Sequence, residues 1–315
     1  MRLNPDNTAF LFPGQGSQAV GMGAELASSV PEAASIFNQA DQQLDFALSE
    51  LMWHGPEERL NETEFTQPAL LVHSVAVLRA FQIQFPAFQP ACAAGHSLGE
   101  ITALVAAGAL SFPDGLHLVR ERGLAMKEAG ELNPGGMAAV LGLEREQVEA
   151  ACRTASEQHE GGVWVANDNC PGQLVISGDN QALESTTRLL ENAGARKVIR
   201  LAVSIAAHSP FMTEASARFR LALDQIELNE PDIQVIGNVS AAPLSDANQA
   251  RQDLEAQLTS TVRWTESIGR MIEEGVDTFV EIGSGDVLIG LVKRIDRSVD
   301  RIHLDSVDSL SALSD

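Results

Sequence analysis

The run Gly95-His96-Ser97-Leu98-Gly99 restricts the fold of this chain more than any other feature. It lies between Cys92-Ala93-Ala94, which reads as a short apolar strand, and an alanine-rich apolar stretch, 101–110, which reads as a helix. A G-x-S-x-G run at a strand-to-helix junction is a nucleophile elbow, in which the chain turns so sharply that only small residues fit on either side of the serine. The turn lifts the Ser97 hydroxyl to a helix N-terminus, where unspent N–H groups favour an oxyanion. The N–H of Leu98, the next residue, is the natural first donor. The pattern also arises by chance, and an ordinary glycine turn is the alternative.

Two further segments repeat the strand-then-glycine junction. Ala9-Phe10-Leu11-Phe12-Pro13 runs into Gly14-Gln15-Gly16-Ser17-Gln18, and Phe279-Val280-Glu281-Ile282 into Gly283. Such strands, alternating with helical stretches, indicate α/β layering on a mostly parallel sheet. The middle of the chain differs. It reads as strand 137–143, helix 144–156, strands 163–167 and 174–177, helix 181–193 and strand 197–203. This β-α-β-β-α-β order is ferredoxin-like. A subdomain over 131–206, entered at Gly135-Gly136, is therefore expected within a larger domain formed by 1–130 and 207–315.

Composition narrows the partners. The 315 residues are 44% apolar and 20% charged, enough for a sizeable core. Lys and Arg number 21 against 43 Asp and Glu, a net charge of −22, which argues against nucleic acid or an anionic membrane. There is no basic leader with an apolar stretch, and no apolar run reaches about 18 residues. Cys92, Cys152 and Cys170 are too few and too scattered for a disulfide framework or a zinc site. The expectation is a cytoplasmic protein with no metal and no bound cofactor. Phe12-Pro13-Gly14-Gln15-Gly16 resembles the start of a dinucleotide fingerprint. However, the third glycine is misplaced and no acidic residue closes a second strand, so NAD is rejected.

A serine nucleophile needs a base. Among seven histidines, His96 sits inside the elbow, where successive side chains point apart. His208 follows the last subdomain strand, where the chain re-enters the larger domain, and is the better candidate, although a structural histidine stays open. On a helix over 114–129, Arg122 falls between Leu118 and Met126, inside the apolar arc. An arginine facing inward requires an anion, either an internal carboxylate or a substrate carboxylate gripped by its fork.

Further segments complete the pattern: Thr66-Gln67-Pro68-Ala69-Leu70, Gly135-Gly136-Met137, Asn169-Cys170-Pro171-Gly172-Gln173, His208-Ser209, Val262-Arg263-Trp264 and Glu281-Ile282-Gly283. With the first glycine loop and the elbow, in this order, they resemble the malonyl-CoA:acyl carrier protein transacylase family from about residue 10 to 294. The resemblance implies an α/β-hydrolase-like large domain closed by the ferredoxin-like subdomain. It implies Ser97 as nucleophile, His208 as base, the Gln257 carbonyl orienting that histidine, Gln15 as second oxyanion donor and Arg122 on the malonyl carboxylate. The implied substrate is malonyl-CoA, in fatty acid or polyketide synthesis, and a chain starting at Met1 is expected to be free-standing.

Two alternatives stay open. One is a serine thioester hydrolase of the α/β-hydrolase class. The other is a trans-acting polyketide acyltransferase with a branched extender unit, because Ile205-Ala206-Ala207 precede His208 without a bulky aromatic. The implied partner, an acyl carrier protein, is typically acidic, yet none of the segments 1–127, 128–206 and 207–315 is net basic. Docking must therefore use a local patch. Lys293, Arg294 and Arg297 form one candidate cluster, and Arg196, Lys197 and Arg200 the other.

Overall fold

The fold, a computed structural model, is described for residues 3–313. Among the described residues nine strands form two sheets: β1 (Thr8–Phe12), β2 (Cys92–Gly95), β3 (Gly136–Leu141), β4 (Val163–Cys170), β5 (Gln173–Gly178), β6 (Lys197–Arg200), β7 (Gln234–Ile236), β8 (Thr278–Ile282) and β9 (Asp300–Leu304). The first sheet has the order β7-β2-β1-β8-β9, and every pairing in it is parallel. Strands β1, β2 and β8 are buried at every position, as expected where helices cover both faces. The two-residue period sends Phe10, Phe12 and Val280 into the core shared with the helices Thr63–Gln84 and Phe112–Leu132. It sends Ala9, Leu11 and Phe279 into a second core with the helices Trp264–Glu273 and Val287–Ile295.

From β1 the chain goes to β2 on one side and later returns to β8 on the other. Such a reversal opens a crevice at the carboxyl ends of the strands. The loops after β1, β2, β7 and β8 all emerge at that edge, including the glycine loop and the elbow.

The second sheet is antiparallel, with the order β4-β5-β3-β6. Together with the helices Arg145–Ser156 and Asn180–Asn192 it reproduces the expected β-α-β-β-α-β succession. Val140, Leu174 and Ile176 pack beneath those helices, while Met137, Ala139 and Val175 on the opposite face border the crevice. Two boundaries differ from the sequence reading by three residues, the others by at most two. Strand β4 runs on to Cys170 with two register shifts, because Asn167 bridges Val262 of the larger sheet's side. Strand β6 stops at Arg200; Leu201 still donates to the Met137 carbonyl at 2.9 Å before the chain leaves the ladder. The short strands β7 and β9 carry too little periodicity to have been read.

The elbow explains its own glycines. A Cβ on Gly95 would lie 1.8 Å from the Gly99 carbonyl oxygen, and one on Gly99 would lie 2.2 Å from that of Phe12. Both obstacles are backbone, which cannot swing aside. Gly99→Ala should therefore destabilise the fold by about 1–3 kcal/mol or more, read as a lower urea midpoint; an unchanged midpoint would mean that the turn has slack.

Candidate active site

Ser97 stands at the tip of the elbow with φ +55°, a left-handed conformation that a non-glycine residue adopts only when its surroundings enforce it. Asn238, just after β7, supplies that enforcement. Its Oδ1 accepts the Ser97 N–H at 2.7 Å, and its Nδ2 donates to the Gly95 carbonyl at 2.7 Å, bracing the turn from both sides. The Ser97 hydroxyl reaches His208 Nε2 at 2.8 Å, while His208 Nδ1 meets the Gln257 carbonyl at 2.8 Å. A carbonyl can only accept, so Nδ1 carries the proton and Nε2 is the acceptor for the serine hydroxyl. Burial, then the charge of Arg122, pull the imidazole down to about 3, against the pull of the Gln257 carbonyl. At neutral pH His208 is thus uncharged and able to take a proton.

Arg122 projects from the buried face of Phe112–Leu132 and is 1% exposed. Its Nη1 donates to Gln67 Oε1 at 2.8 Å; its Nη2 donates to Gln257 Oε1 at 2.8 Å and to Ser97 Oγ at 3.0 Å. Its Nε has no acceptor among the described residues. None of its hydrogen-bond partners is a carboxylate. Burial lowers the guanidinium to about 10, so it keeps its charge at neutral pH. An internal ion pair, one of the two readings open from the sequence, is not what the fold provides.

The N–H groups of Gln15 and Leu98 donate to nothing among the described residues. Their neighbours are spent: Gly16 N–H goes to Gln18 Oε1 at 2.8 Å and Gly99 N–H to the His96 carbonyl at 3.0 Å. Gln15 and Ser97 line a cleft of about 380 Å³. One wall carries Gly14 to Ser17, Ser97, Arg122 and His208; the other carries Met137, Ala139, Asn167, Asn169, Gln173 and Val175 of the second sheet. His96 Nε2 meets Asn169 Oδ1 at 2.9 Å and so ties the elbow to β4.

A braced serine, a neutral histidine and a buried cation in one cleft suit acyl transfer from a carboxylate-bearing donor. Comparison with known proteins agrees. Residues 9–306 match the family model described as acyl transferase domain. The chain belongs to the acyl transferase domain family. Within it, the chain groups with the malonyl CoA-acyl carrier protein transacylases. The Bacillus subtilis protein of that name is 45% identical over 303 residues, covering 96% of this chain and 94% of its own length. A crystal structure of an acyl carrier protein S-malonyltransferase from Vibrio cholerae superposes with TM-score 0.93 at 41% identity, covering 98% of this chain and 99% of that one. A type II PKS acyl-carrier protein in complex with its malonyl-transacylase gives TM-score 0.93 at 39% identity, covering 97% and 98%.

In this acyl transferase Gln15, Ser97, Arg122 and His208 line one cleft, with Gln257 buried against His208 and Arg122 and Leu98 beside Ser97 in the elbow. Lys293, Arg294, Arg297, Arg196 and Lys197 are exposed. Arg294 sits at the cleft margin, bonded to Gln173 and, at 3.4 Å, to the Pro171 carbonyl. Arg196 packs near Gly142, whose N–H donates to the Gly172 carbonyl at 2.9 Å, so the Lys293-Arg294 and Arg196-Lys197 pairs flank one β4–β5 turn. Arg200 stands apart: it pairs with Ala138 at the other end of β6 and bonds Asn180. Sequence reasoning missed Asn238 and the side-chain roles of Gln67 and Gln257. Ile236-Gly237-Asn238 does repeat the strand-then-glycine signal and could have flagged Asn238. Among the described residues no group of three or more His, Cys, Asp or Glu could hold a metal ion, and no helix is long and apolar enough to cross a membrane.

Because His208 is neutral and pushed down by its cationic neighbour, labelling of Ser97 by a fluorophosphonate should be flat with pH from about 5 to 8. In Arg122→Ala the acid limb should move to higher pH, since the charge opposing the imidazolium is gone. A limb centred near the ordinary histidine value in the unaltered protein would contradict this picture.

Proposed function

We propose that this acyl transferase moves a malonyl group from malonyl-CoA to the phosphopantetheine thiol of an acyl carrier protein through a malonyl ester of Ser97. The observation that carries the reading is Arg122, a buried cation with only neutral partners, 3.0 Å from the Ser97 hydroxyl. In a malonyl thioester one methylene separates the carboxylate from the reacting carbonyl. A carboxylate held by the guanidinium thus brings that carbonyl to Ser97.

The reaction then runs through two matched halves. His208 Nε2 takes the Ser97 proton as Oγ attacks the thioester carbonyl, and the oxyanion rests on the Gln15 and Leu98 N–H groups. Collapse breaks the C–S bond, the imidazolium returns its proton to sulfur, and CoA thiol leaves. The carrier's pantetheine thiol repeats the sequence in reverse, giving up its proton to His208 and displacing Ser97. The Gln257 carbonyl keeps His208 in the tautomer this requires, the role an aspartate fills in most serine hydrolases. Met137, Ala139 and Val175 of the second sheet limit water at the ester. The working place of such an enzyme is the cytoplasm, and no resident cofactor is needed for any step.

A second substrate is favoured by the wall itself. Among the described residues no Phe or Trp lines the cleft, and Ile205 and Ala207 border it, so a 2-methyl branch has space. Malonyl-CoA remains the first substrate, and methylmalonyl-CoA is the competitor to include.

The test is competition among malonyl-, methylmalonyl- and acetyl-CoA, read by intact mass of the protein. Malonyl should dominate, and Ser97→Ala should show no adduct. Arg122→Ala should lower malonyl loading by roughly 100- to 1,000-fold, the loss of a charged hydrogen-bonded pair, while acetyl loading persists. Unchanged malonyl loading in that variant, or release of free malonate faster than transfer, would reject the reading.

Lys293 and Arg294, with Arg196 and Lys197 across the β4–β5 turn, make the basic lip on which an acidic carrier would land. Reversing all four to Glu should raise the KM for carrier protein by roughly 5- to 20-fold, with a steeper effect at low salt. An unchanged KM would remove the lip from the docking site.

A further inference from the structure

Glu100, the residue that closes the Gly95–Glu100 run, is 0% exposed. Its Oε2 accepts Gln257 Nε2–H at 2.8 Å and the Asn238 N–H at 3.1 Å. Both partners belong to the site. The same Gln257 amide nitrogen donates to the Ser97 carbonyl at 3.0 Å, and the other end of that amide accepts Arg122. Asn238 in turn holds both sides of the Ser97 turn. One oxygen of one buried carboxyl thus anchors the two residues that brace the nucleophile and aim the guanidinium.

The other oxygen, Oε1, meets no donor among the described residues. The acidic neighbour of Glu100 is Asp253, whose own oxygens accept the Val239 and Ser240 N–H groups at 3.0 Å each. Burial first, then Asp253, raise Glu100 well above the ordinary carboxylate range. A neutral Glu100 also leaves the Arg122 charge uncompensated, which is what capture of a substrate carboxylate needs. An ionised one would compete for it.

We propose that Glu100 is a positioning residue for acyl transfer, acting through Gln257 and Asn238 on Ser97 and on the aim of Arg122. The inference rests on the malonyl-transfer reading above, and its test separates the two.

Glu100→Gln keeps an acceptor for Gln257 and Asn238; Glu100→Met keeps the volume and removes it. Malonyl and acetyl loading are measured for each by intact mass, beside melting temperature. The Gln variant should load malonyl within about threefold of the unaltered protein. The Met variant should lose about 10- to 100-fold in kcat, the effect of one lost buried hydrogen-bond anchor. Its malonyl-over-acetyl preference should fall at least about fivefold, because the Gln257 amide that aims Arg122 is no longer held. A residue that served stability alone would shift melting without shifting that preference.

Gln257→Met, which keeps the carbonyl on His208 but removes the relay, should reproduce the loss of preference and serves if Glu100→Met does not fold. Unchanged preference in a folded Glu100→Met or in Gln257→Met overturns the proposal, as does a Gln variant as impaired as the Met one. Failure of the unaltered protein to load malonyl at all would instead strike the functional reading.

Discussion

Arg122 carries a charge it keeps at neutral pH into a place with almost no access to water. Taking such an ion out of water costs several kcal/mol, and neutral hydrogen bonds return only part of that. The acceptors that offset it come from three distant parts of the chain: Gln67 on the helix after the first loops, Ser97 at the elbow, and Gln257 at the end of the helix Ala247–Gln257. Gln257 also orients His208 through its carbonyl and steadies the Ser97 backbone through its amide. The arginine cannot shift without disturbing Ser97 and the residue that holds His208. A charge left short of an anion is stability given up for a site that waits for one.

The elbow contributes the second constraint. Left-handed backbone at Ser97 and at His208, with φ +58°, stores strain at the two ends of one hydrogen bond. Close backbone approach at Gly95 and Gly99 lets β2 and the following helix pack tightly against β1. Net charge plays no part here. The acidic surface of the chain and its cationic centre are separate arrangements, and the exposed basic residues beside the β4–β5 turn are a third.

How much could be read in advance divides by distance along the chain. Ser97 and Leu98 were legible because an elbow is a local object, spelled by glycines within five residues. Arg122 was legible because helical period places it among Leu118 and Met126, although periodicity could not choose between an internal carboxylate and a ligand. The β-α-β-β-α-β order was legible from alternation. Gln67 and Glu100 were not, and Asn238 was marked only by the glycine before it: the role of each depends on a neighbour more than 50 residues away. Gln15 and Gln257 were named only through family resemblance, since a backbone N–H or C=O leaves no mark in a side-chain pattern. Arg200 was grouped with Arg196 and Lys197 by adjacency, but the strand carries it to the far end of β6.

By itself, then, the amino-acid sequence determined the local chemistry: a strained serine at a helix start, an arginine on an apolar face, an α/β layering with an inserted sheet, and a balance of charge opposed to polyanions. The tertiary structure alone decided that the arginine has no carboxylate to itself, that His208 is oriented by a carbonyl and stays neutral, and that one buried carboxyl ties these parts together. The physical reason is that period and motif report what neighbours in the chain can do within a turn or two. Burial and protonation depend on which distant groups share the same few cubic ångströms, and that is settled only when the sheets close over the cleft.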